Sequence, residues 1–475
     1  MMAPEDQKRK RRSELDAKDR QWVRVESPEV PAKERSSTFC EVCQVYPKDL
    51  AIEEAGRCLG CKKPICMKGC PIKQDVQGYV KAIQSGDFDK ALEIIMDRNP
   101  LPESVGRVCP QFCAAGCLRG KKGDPICVAA LKRAAGEYGN FQPRVDPPTG
   151  KRIAVVGAGP GGLAAAYFLT KWGHKVTIYE RENVKGGMLY TAIPEYRLPK
   201  EAVRRDVERI ERMGVEFKLG VKVGTDIDLK KLGDDHDAVI LAIGTHLPKF
   251  MDVPGKDKKG VVHVVPMLRD INLGKKVWIG DKVTVIGGGS SALDVARAVK
   301  RLGKDPIILY RRTKEFMPAP QEEVRETEEE GVRFEFLVAP TKILGDESVK
   351  RLEMLRMRLG EPDKSGRARP VPIEGSEFHV DADMVIEAIN QEPDLTGLDG
   401  GMFKLTRWNT FDVDGNGMTS QKGVYAAGDC VIGSSTVVQA IASAIKAAIG
   451  IHRQLTGNIP PGFEEGKGEG PVPDA

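Results

Sequence analysis

The stretch that decides the fold is KRIAVVGAGPGGLAAAYFLTKWGHKVTIYER, residues 151–181. Its apolar start predicts a buried strand, and Gly157, Gly159 and Gly162 then form the pattern G-x-G-x-x-G ahead of a helical stretch. The first glycine permits a tight turn, the second lets backbone approach a pyrophosphate, and the third lets the helix pack on the strand. Glu180 ends the second predicted strand, where its carboxylate can accept hydrogen bonds from a ribose. The stretch therefore predicts a dinucleotide-binding domain. The predicted phosphate loop consists of Gly157, Ala158, Gly159, Pro160, Gly161 and Gly162.

A second copy of this plan occupies residues 281–312, DKVTVIGGGSSALDVARAVKRLGKDPIILYRR. Its turn reads G-x-G-x-x-A, and two copies of one strand–turn–helix–strand unit predict two dinucleotide-binding domains in an α/β chain. The predicted turn residues are Gly287, Gly288, Gly289 and Ala292.

The two copies differ where the second strand ends. Tyr310 stands in the place that Glu180 fills in the first copy, and Arg311 and Arg312 follow it. An acid at this place favours the free 2′-hydroxyl of NAD, whereas arginines suit a 2′-phosphate. The sequence therefore predicts NADP(H) at the second site, against the alternative that two arginines simply end a strand in water.

The segment GVYAAGDCVIGSSTVVQAIASAIKAA, residues 423–448, suggests which dinucleotide the first site takes. It resembles the C-terminal flavin motif of flavoprotein reductases that have two dinucleotide domains, and AVILAIGTHLP (238–248) resembles their A-x-G-[TS] strand. The resemblance implies FAD at the first site, with Gly428 and Asp429 in contact with it. Hydride transfer between two bound dinucleotides needs no side-chain nucleophile or base, so we nominate no catalytic residue.

Composition narrows the class of protein. The chain has 475 residues, 73 Lys+Arg against 68 Asp+Glu, and 41% hydrophobic residues, which excludes collagen-like and disordered classes and does not indicate nucleic-acid binding. The N-terminus carries no apolar leader and no stretch is typical of a membrane span, so we expect a cytoplasmic location and no membrane partner. Ten of the 11 cysteines precede residue 128, and in a reducing compartment clustered cysteines favour metal binding over disulfides.

The early cysteines follow the spacing C-x2-C-x4-C-x3-C-P, then a C-x3-C-x3-C run and one further cysteine. Thiolates converging from such a compact run are typical of iron–sulfur clusters, and structural zinc is the alternative. The candidate ligands are Cys58, Cys61, Cys66, Cys70, Cys109, Cys113, Cys117 and Cys127.

Together the motifs resemble the small subunit of NADPH-dependent glutamate synthase. They are AIEEAGRCLGCKKPICMKGCPI, GRVCPQFC, GAGPGGLAAAYFL, GGMLYTAIPEYRLPK, VIGGGSSALDVAR, YRRTKEFMPA and VYAAGDC. The related large subunit of NADH-dependent ferredoxin–NADP oxidoreductase, a bifurcating transhydrogenase, and the reductase end of dihydropyrimidine dehydrogenase share them. The resemblance covers about residues 38–455 and implies FAD, NADP(H) and two [4Fe–4S] clusters.

The resemblance also implies which cysteines bind which cluster. Cys58, Cys61, Cys66 and Cys117 would bind one cluster, and Cys70, Cys109 and Cys113 would supply three corners of the other. The family's fourth corner is a Glu or Gln, but this chain has Lys132 there, so Cys127 or an incoming group would have to replace it. Cys40 and Cys43 have no family counterpart, and we interpret them as ordinary thiols rather than as an additional metal pair.

Further cofactor contacts come from the resemblance alone. It adds Gly187, Arg197 and Val223 to the FAD site, and Ser290 and Ser291 to the NADP(H) site beside Arg311 and Arg312.

The expected organisation is α/β, with two Rossmann-like domains preceded by a mostly helical iron–sulfur domain. The expected ranges are a polar tail (1–37), the cluster domain (38–145), the FAD domain in two parts (151–245 and 388–455), the NADP domain (246–387) and a loose tail (456–475). The expected function is an NADP(H)-dependent flavoprotein subunit that passes electrons through clusters to a partner redox subunit in a hetero-oligomer. That partner would be a glutamate synthase large subunit or a ferredoxin/NAD-reductase-type subunit. The alternatives are a bifurcating transhydrogenase subunit or NADP(H) module of a larger redox complex, and a non-enzymatic cluster-bearing scaffold.

Overall fold

The computed structural model describes Arg12 and residues 15–363, 366–398 and 401–464. The rest of the basic run 8–12 and the end of the C-terminal tail, 465–475, lie outside the described residues. No helix within these ranges combines the length and hydrophobicity that a membrane crossing requires.

The N-terminal third is helical and precedes the first sheet. Its helices are α1 (Ala17–Arg20), α2 (Ala32–Arg35), α3 (Lys48–Gly56), α4 (Ile65–Gly69), α5 (Val76–Gln84), α6 (Phe88–Met96), α7 (Pro102–Val108) and α8 (Val128–Tyr138), with 3-10 turns at Phe112–Gly116 and Leu118–Lys121. Asp75 and Asp87 cap α5 and α6 by accepting hydrogen bonds from Gly78 N and Lys90 N. The apolar faces of α3, α5, α6 and α8 form one core around Tyr79, Ile83 and Leu131.

A five-stranded parallel sheet follows, in the order β16-β4-β1-β2-β3. The elements of this part are β1 (Arg152–Val156), α9 (Pro160–Lys171), β2 (Lys175–Glu180), α10 (Met188–Thr191), α11 (Lys200–Glu211), β3 (Glu216–Leu219), α12 (Leu229–Asp235), β4 (Ala238–Leu241), β5 (Leu247–Pro248), β16 (Val424–Ala426), α16 (Asp429–Ile432) and α17 (Val437–Thr456). β1 and β4 are apolar and buried because helices cover both faces of the sheet. The chain enters this sheet twice, so residues about 180 positions apart share one layer.

A second parallel sheet has the order β6-β14-β7-β8-β9. Its part of the chain contains β6 (Val261–His263), α13 (Val264–Asn272), β7 (Val283–Ile286), α14 (Ser290–Arg301), β8 (Ile307–Tyr310), a 3-10 turn (Lys314–Phe316), α15 (Gln321–Glu329), β9 (Arg333–Phe336), β10 (Val338–Leu344), β11 (Arg351–Pro362), β12 (Ala368–Pro372), β13 (Phe378–Asp381), β14 (Met384–Glu387) and β15 (Gln391–Glu392). Strands β10 to β13 form a separate antiparallel sheet that the sequence analysis did not anticipate. The α/β class with two Rossmann-like units and a helical N-terminal region is confirmed.

The described parts of the two expected tails are packed against the rest of the protein. Val25 is buried, and the buried Arg35 pairs with Glu329 and Glu330 at the end of α15. At the other end, Phe463 packs among aromatic side chains of α9. Scattered apolar and arginine anchors in otherwise polar segments are enough to fix them on the protein.

Candidate functional site

The first glycine loop leaves space for a ligand because side chains are absent from it. A Cβ on Gly157, whose φ is +106°, would overlap with the Ala242 carbonyl, and a Cβ on Gly162 would overlap with the Gly157 carbonyl. Gly159 caps α9 without a side chain, and a Cβ on Gly187 would lie 2.6 Å from the Gly159 Cα. The free N–H groups at the start of α9 therefore face open space, an arrangement suited to a pyrophosphate.

Glu180 is buried at the end of β2 and faces this loop. Its carboxylate accepts hydrogen bonds from Ala158 N (2.6 Å) and Glu182 N (2.8 Å). Burial raises the pKa of Glu180, and the two N–H donors oppose that change. The side chain is fixed beside the loop with acceptor capacity left for a ribose hydroxyl.

Asp429 follows β16 and lines the same cavity as the first glycine loop. Gly428, at φ +76°, comes within 3.4 Å of where a Cβ on Gly161 would lie. Asp429 is half-buried, accepts a hydrogen bond from the Ser435 hydroxyl (2.7 Å), and has its pKa raised to about 6 by burial. Helix α17 begins nearby with a capping box between Thr436 and Gln439.

The second glycine loop has the same strand–turn–helix arrangement as the first, but an aromatic ring packs against it. Gly287 has φ +150°, and Gly289 caps α14 as Gly159 caps α9. A Cβ on Gly288 would overlap with the ring of Tyr310, whose hydroxyl donates to the Phe316 carbonyl (2.8 Å). Ser290 and Ser291 form the first turn of α14 and line the cavity described below.

The two arginines proposed for a 2′-phosphate have different environments. Arg311 is exposed directly after β8. Arg312 is buried, pairs with Asp363 at 2.9 Å and donates to the Ala368 carbonyl. The structure thus makes Arg311 the more available of the two, a distinction that the sequence analysis did not draw.

Both loops open into one cavity of about 630 Å³, within the usual range of cofactor sites. Its lining includes Val223 and, from the second unit, Gly289, Ser290 and Ser291. Arg197 bridges the two units at its wall, with Nη1 2.7 Å from Asp294 and Nη2 2.6 Å from Glu323. Two dinucleotides bound at these loops would share one cavity.

The cysteines form two neighbouring groups. Cys58, Cys61, Cys66 and Cys117 all line one small cavity, to which Cys113 also contributes. Cys70, Cys109 and Cys113 lie around the buried Tyr79, whose pKa rises well above its usual value, mainly through burial and also through those thiols. Thiol donors that converge in this way fit an iron–sulfur cluster.

Cys127, the candidate fourth ligand of the second group, lies directly before α8. Its backbone N–H donates to Glu54 (2.8 Å), and burial followed by the Glu54 charge raises the pKa of its thiol. Burial raises the pKa of the Cys113 thiol to about 12, and the positive charge of Lys132 opposes that rise.

The three remaining cysteines have ordinary surroundings. Cys40 is exposed, and the Cys43 thiol lies 3.6 Å from a Glu326 oxygen and 3.9 Å from a Glu29 oxygen. Both of those glutamates pair with arginines, so they are engaged already. Cys430 is buried and donates to the Ala427 and Leu241 carbonyls, as a packed thiol does.

Val108 and Pro110, on either side of Cys109, line the same cavity as the two glycine loops. Cys109 of the second cysteine group therefore lies next to the dinucleotide space.

Comparison with known proteins agrees with this geometry. The family described as pyridine nucleotide-disulphide oxidoreductase matches residues 151–448, and the dihydropyrimidine dehydrogenase domain II family with a 4Fe–4S cluster matches residues 35–142. The glutamate synthase [NADPH] small chain of Azospirillum brasilense is 35% identical over 93% of this chain and 95% of its own length. The chain belongs to the glutamate synthase small-subunit family of NADPH-dependent FAD and iron–sulfur oxidoreductases.

Other members of this family are longer. The NADPH-Fe(3+) oxidoreductase subunit beta of Geobacter sulfurreducens is 42% identical over 85% of this chain, and the NADP(+)-dependent formate dehydrogenase subunit beta of Moorella thermoacetica is 39% identical over 82%. This chain spans only 64% and 60% of their respective lengths. Among solved structures, FprA from Mycobacterium tuberculosis in complex with NADPH shares the fold, with a TM-score of 0.57 at 19% identity over 66% of this chain and 85% of that one.

Sequence reasoning missed several residues of this family member's cavity. His246 follows β4 and lines the cavity, and burial lowers its pKa to about 4, so it is neutral near pH 7. Thr245 and Ser434 exchange a hydrogen bond of 3.0 Å across the cavity wall. The only sequence signal for them was their position next to the two motifs that resemble flavin-binding segments.

Proposed function

We propose that this chain is an NADP(H)-dependent flavoprotein oxidoreductase subunit with two [4Fe–4S] clusters, which exchanges hydride between NADP(H) and FAD and electrons with a partner subunit. The observation that carries the proposal is the order of the sites. Two glycine loops share one cavity, that cavity reaches Val108 and Pro110 beside Cys109, and Cys113 borders both cysteine groups. FAD can accept a hydride and release electrons singly, which links a nicotinamide to one-electron centres.

The residues of the chain have distinct parts in this proposal. The α9 N-terminus and Glu180 hold the flavin nucleotide, while the α14 N-terminus and Arg311 hold the NADP(H) phosphates. Arg197 fixes the angle between the two units by its ion pairs to Asp294 and Glu323. Their combined effect is to set the distance between two cofactors and exclude water.

The partner is proposed to bind beside the first cysteine group. Leu59, Ile65 and Phe112 are 48%, 50% and 39% exposed there, and α4 packs against the turn that contains Phe112. Residues 58–73 contain four lysines and neither Asp nor Glu. An apolar centre with a basic rim fits an acidic one-electron carrier subunit.

The test is reduction of methyl viologen by NADPH, using the full chain reconstituted with FAD, iron and sulfide. We expect turnover, and we expect Cys58→Ser to abolish it while NADPH still bleaches the flavin. Iron and sulfide should each be about eight per chain. Absence of turnover with all cofactors bound would instead support the non-enzymatic scaffold, and bound zinc without sulfide would refute the cluster assignment.

A further inference from the structure

The second cysteine group offers three thiols, Cys70, Cys109 and Cys113, to a cluster that has four irons. The family resemblance described above implies a Glu or Gln at the fourth corner, and this sequence has Lys132 at that position. The inference below rests on the second cluster of the proposed function.

Helix packing places Lys132 at this group. α7 and α8 run antiparallel, because Gly106 lies against Arg133 and Gly136 lies against Glu103. Cys109 directly follows α7, one turn beyond Gly106, so it lies against the first turns of α8. The Gln111 side chain accepts from the N–H of Ala129 in the same turn, which fixes the loop of Cys109 and Cys113 to the helix that carries Lys132.

The Lys132 side chain is only 5% exposed. Among the described residues, its ammonium makes no hydrogen bond and no ion pair with a carboxylate. The packing of α7 on α8 places this side chain beside the second cysteine group, and its positive charge opposes the rise of the Cys113 pKa that burial causes.

We propose that the second cluster is bound by three cysteines only, and that Lys132 occupies the fourth corner as an ammonium that hydrogen-bonds to cluster sulfur. An ammonium has three donors and no lone pair, so it cannot ligate iron. One iron is then left without a protein ligand and takes water or a small anion. The positive charge favours the reduced cluster and raises its reduction potential.

An iron without a protein ligand can be removed. When ferricyanide takes one electron from the oxidised four-iron cluster, one Fe²⁺ leaves, a three-iron cluster with one positive charge remains, and ferrocyanide forms. The cluster proposed at the first cysteine group has four cysteine ligands and therefore no such iron. The experiment is stoichiometric ferricyanide treatment of the reconstituted full chain, read by iron analysis and electron paramagnetic resonance.

The wild-type protein should lose about one of its eight irons and show the signal of a three-iron cluster. Lys132→Glu restores the family carboxylate and should keep all its iron and show no such signal. Lys132→Met keeps the side-chain volume without the charge, so it should still show the three-iron signal, with a lower reduction potential in a spectroelectrochemical titration. Lys81→Glu, at an exposed position on α5, is the matched control for the charge change and should behave as wild type.

The outcomes separate the two proposals. A wild-type protein that keeps all its iron, or a Lys132→Met variant that loses the whole second cluster, would overturn the role of Lys132 and leave the proposed function standing. About four irons per wild-type chain would overturn the second cluster itself. If Lys132→Glu does not fold, as judged by FAD content and circular dichroism, the wild-type signal and the potential of Lys132→Met still decide the question.

Discussion

The two glycine-rich repeats, 151–181 and 281–312, build the same strand, loop and helix, and they differ where the second strand ends. In the first repeat the Glu180 carboxylate accepts the N–H of Ala158 and stays beside the loop. In the second repeat the Tyr310 ring packs on Gly288, and its hydroxyl donates a hydrogen bond to the Phe316 carbonyl. The exposed Arg311 is then the next side chain that a ligand can reach. The shared backbone thus suits a pyrophosphate in both places, and the residue at the strand end distinguishes the two expected ribose sites.

We expect the largest effect, a loss of stability and of bound FAD, from a substitution at the third glycine of the first loop. A Cβ on Gly162 overlaps with the Gly157 carbonyl, whereas the second repeat already holds Ala292 at that position. Gly162→Ala should push α9 away from β1 at a cost of about 1–3 kcal/mol, and most FAD should be lost on purification. Flavin absorbance per chain measures this, with Ala292→Gly as the control that should keep FAD. Full FAD content in Gly162→Ala would show that the first loop is less tightly built than described.

The strand-end arginines give the next effect. A charged hydrogen bond contributes about 1.5–3 kcal/mol, so Arg311→Ala should raise KM for NADPH about 10- to 100-fold and leave KM for NADH nearly unchanged. Arg312→Ala should discriminate less between the two, because Arg312 is already paired with Asp363. Equal effects of Arg311→Ala on NADPH and NADH would contradict the 2′-phosphate assignment.

The pH dependence of folding stability tests the first site, because that site contains Asp429, whose pKa burial raises to about 6. In the unfolded chain this carboxyl titrates near its ordinary value of about 3.9. Between these values the unfolded state is ionised and the folded state is protonated, so the FAD-free protein should lose stability as the pH rises from about 4 to about 6. The loss should be about 1 kcal/mol, since the half-buried carboxyl is partly screened.

Denaturant unfolding of the FAD-free protein measures this slope. Asp429→Asn should remove Asp429's contribution to it, whereas an unchanged slope in that variant would assign the pH dependence to other groups.

The smallest effect tests the tyrosine of the second repeat. Tyr310→Phe removes the hydrogen bond to the Phe316 carbonyl and keeps the ring on Gly288, so stability should fall by about 0.5–1.5 kcal/mol with KM for NADPH unchanged. Thermal unfolding and NADPH kinetics check both parts. A KM that rises severalfold would mean that the Tyr310 hydroxyl contacts the nucleotide.

The α/β class and the existence of two dinucleotide units could be predicted because strand, turn and helix signals are local and occur twice. The helical cysteine region followed from spacing in the same way. The antiparallel strands β10 to β13 escaped prediction because their alternating, half-exposed residues leave only a weak local pattern. The anchoring of the two tails escaped it because Arg35 and Phe463 find their partners far away in sequence.

The sequence by itself determined the cofactor-binding loops, since a glycine at a position with positive φ and a cysteine at a ligand spacing are properties of short segments. Only the tertiary structure decided which of these segments meet. It paired Arg312 with Asp363 and left Arg311 exposed, it joined the Cys127 backbone to Glu54, and it buried Lys132. Those outcomes depend on how α7 packs on α8 and how β8 meets the antiparallel sheet. Such packing depends on side chains distant in the chain, whose contacts no local pattern encodes.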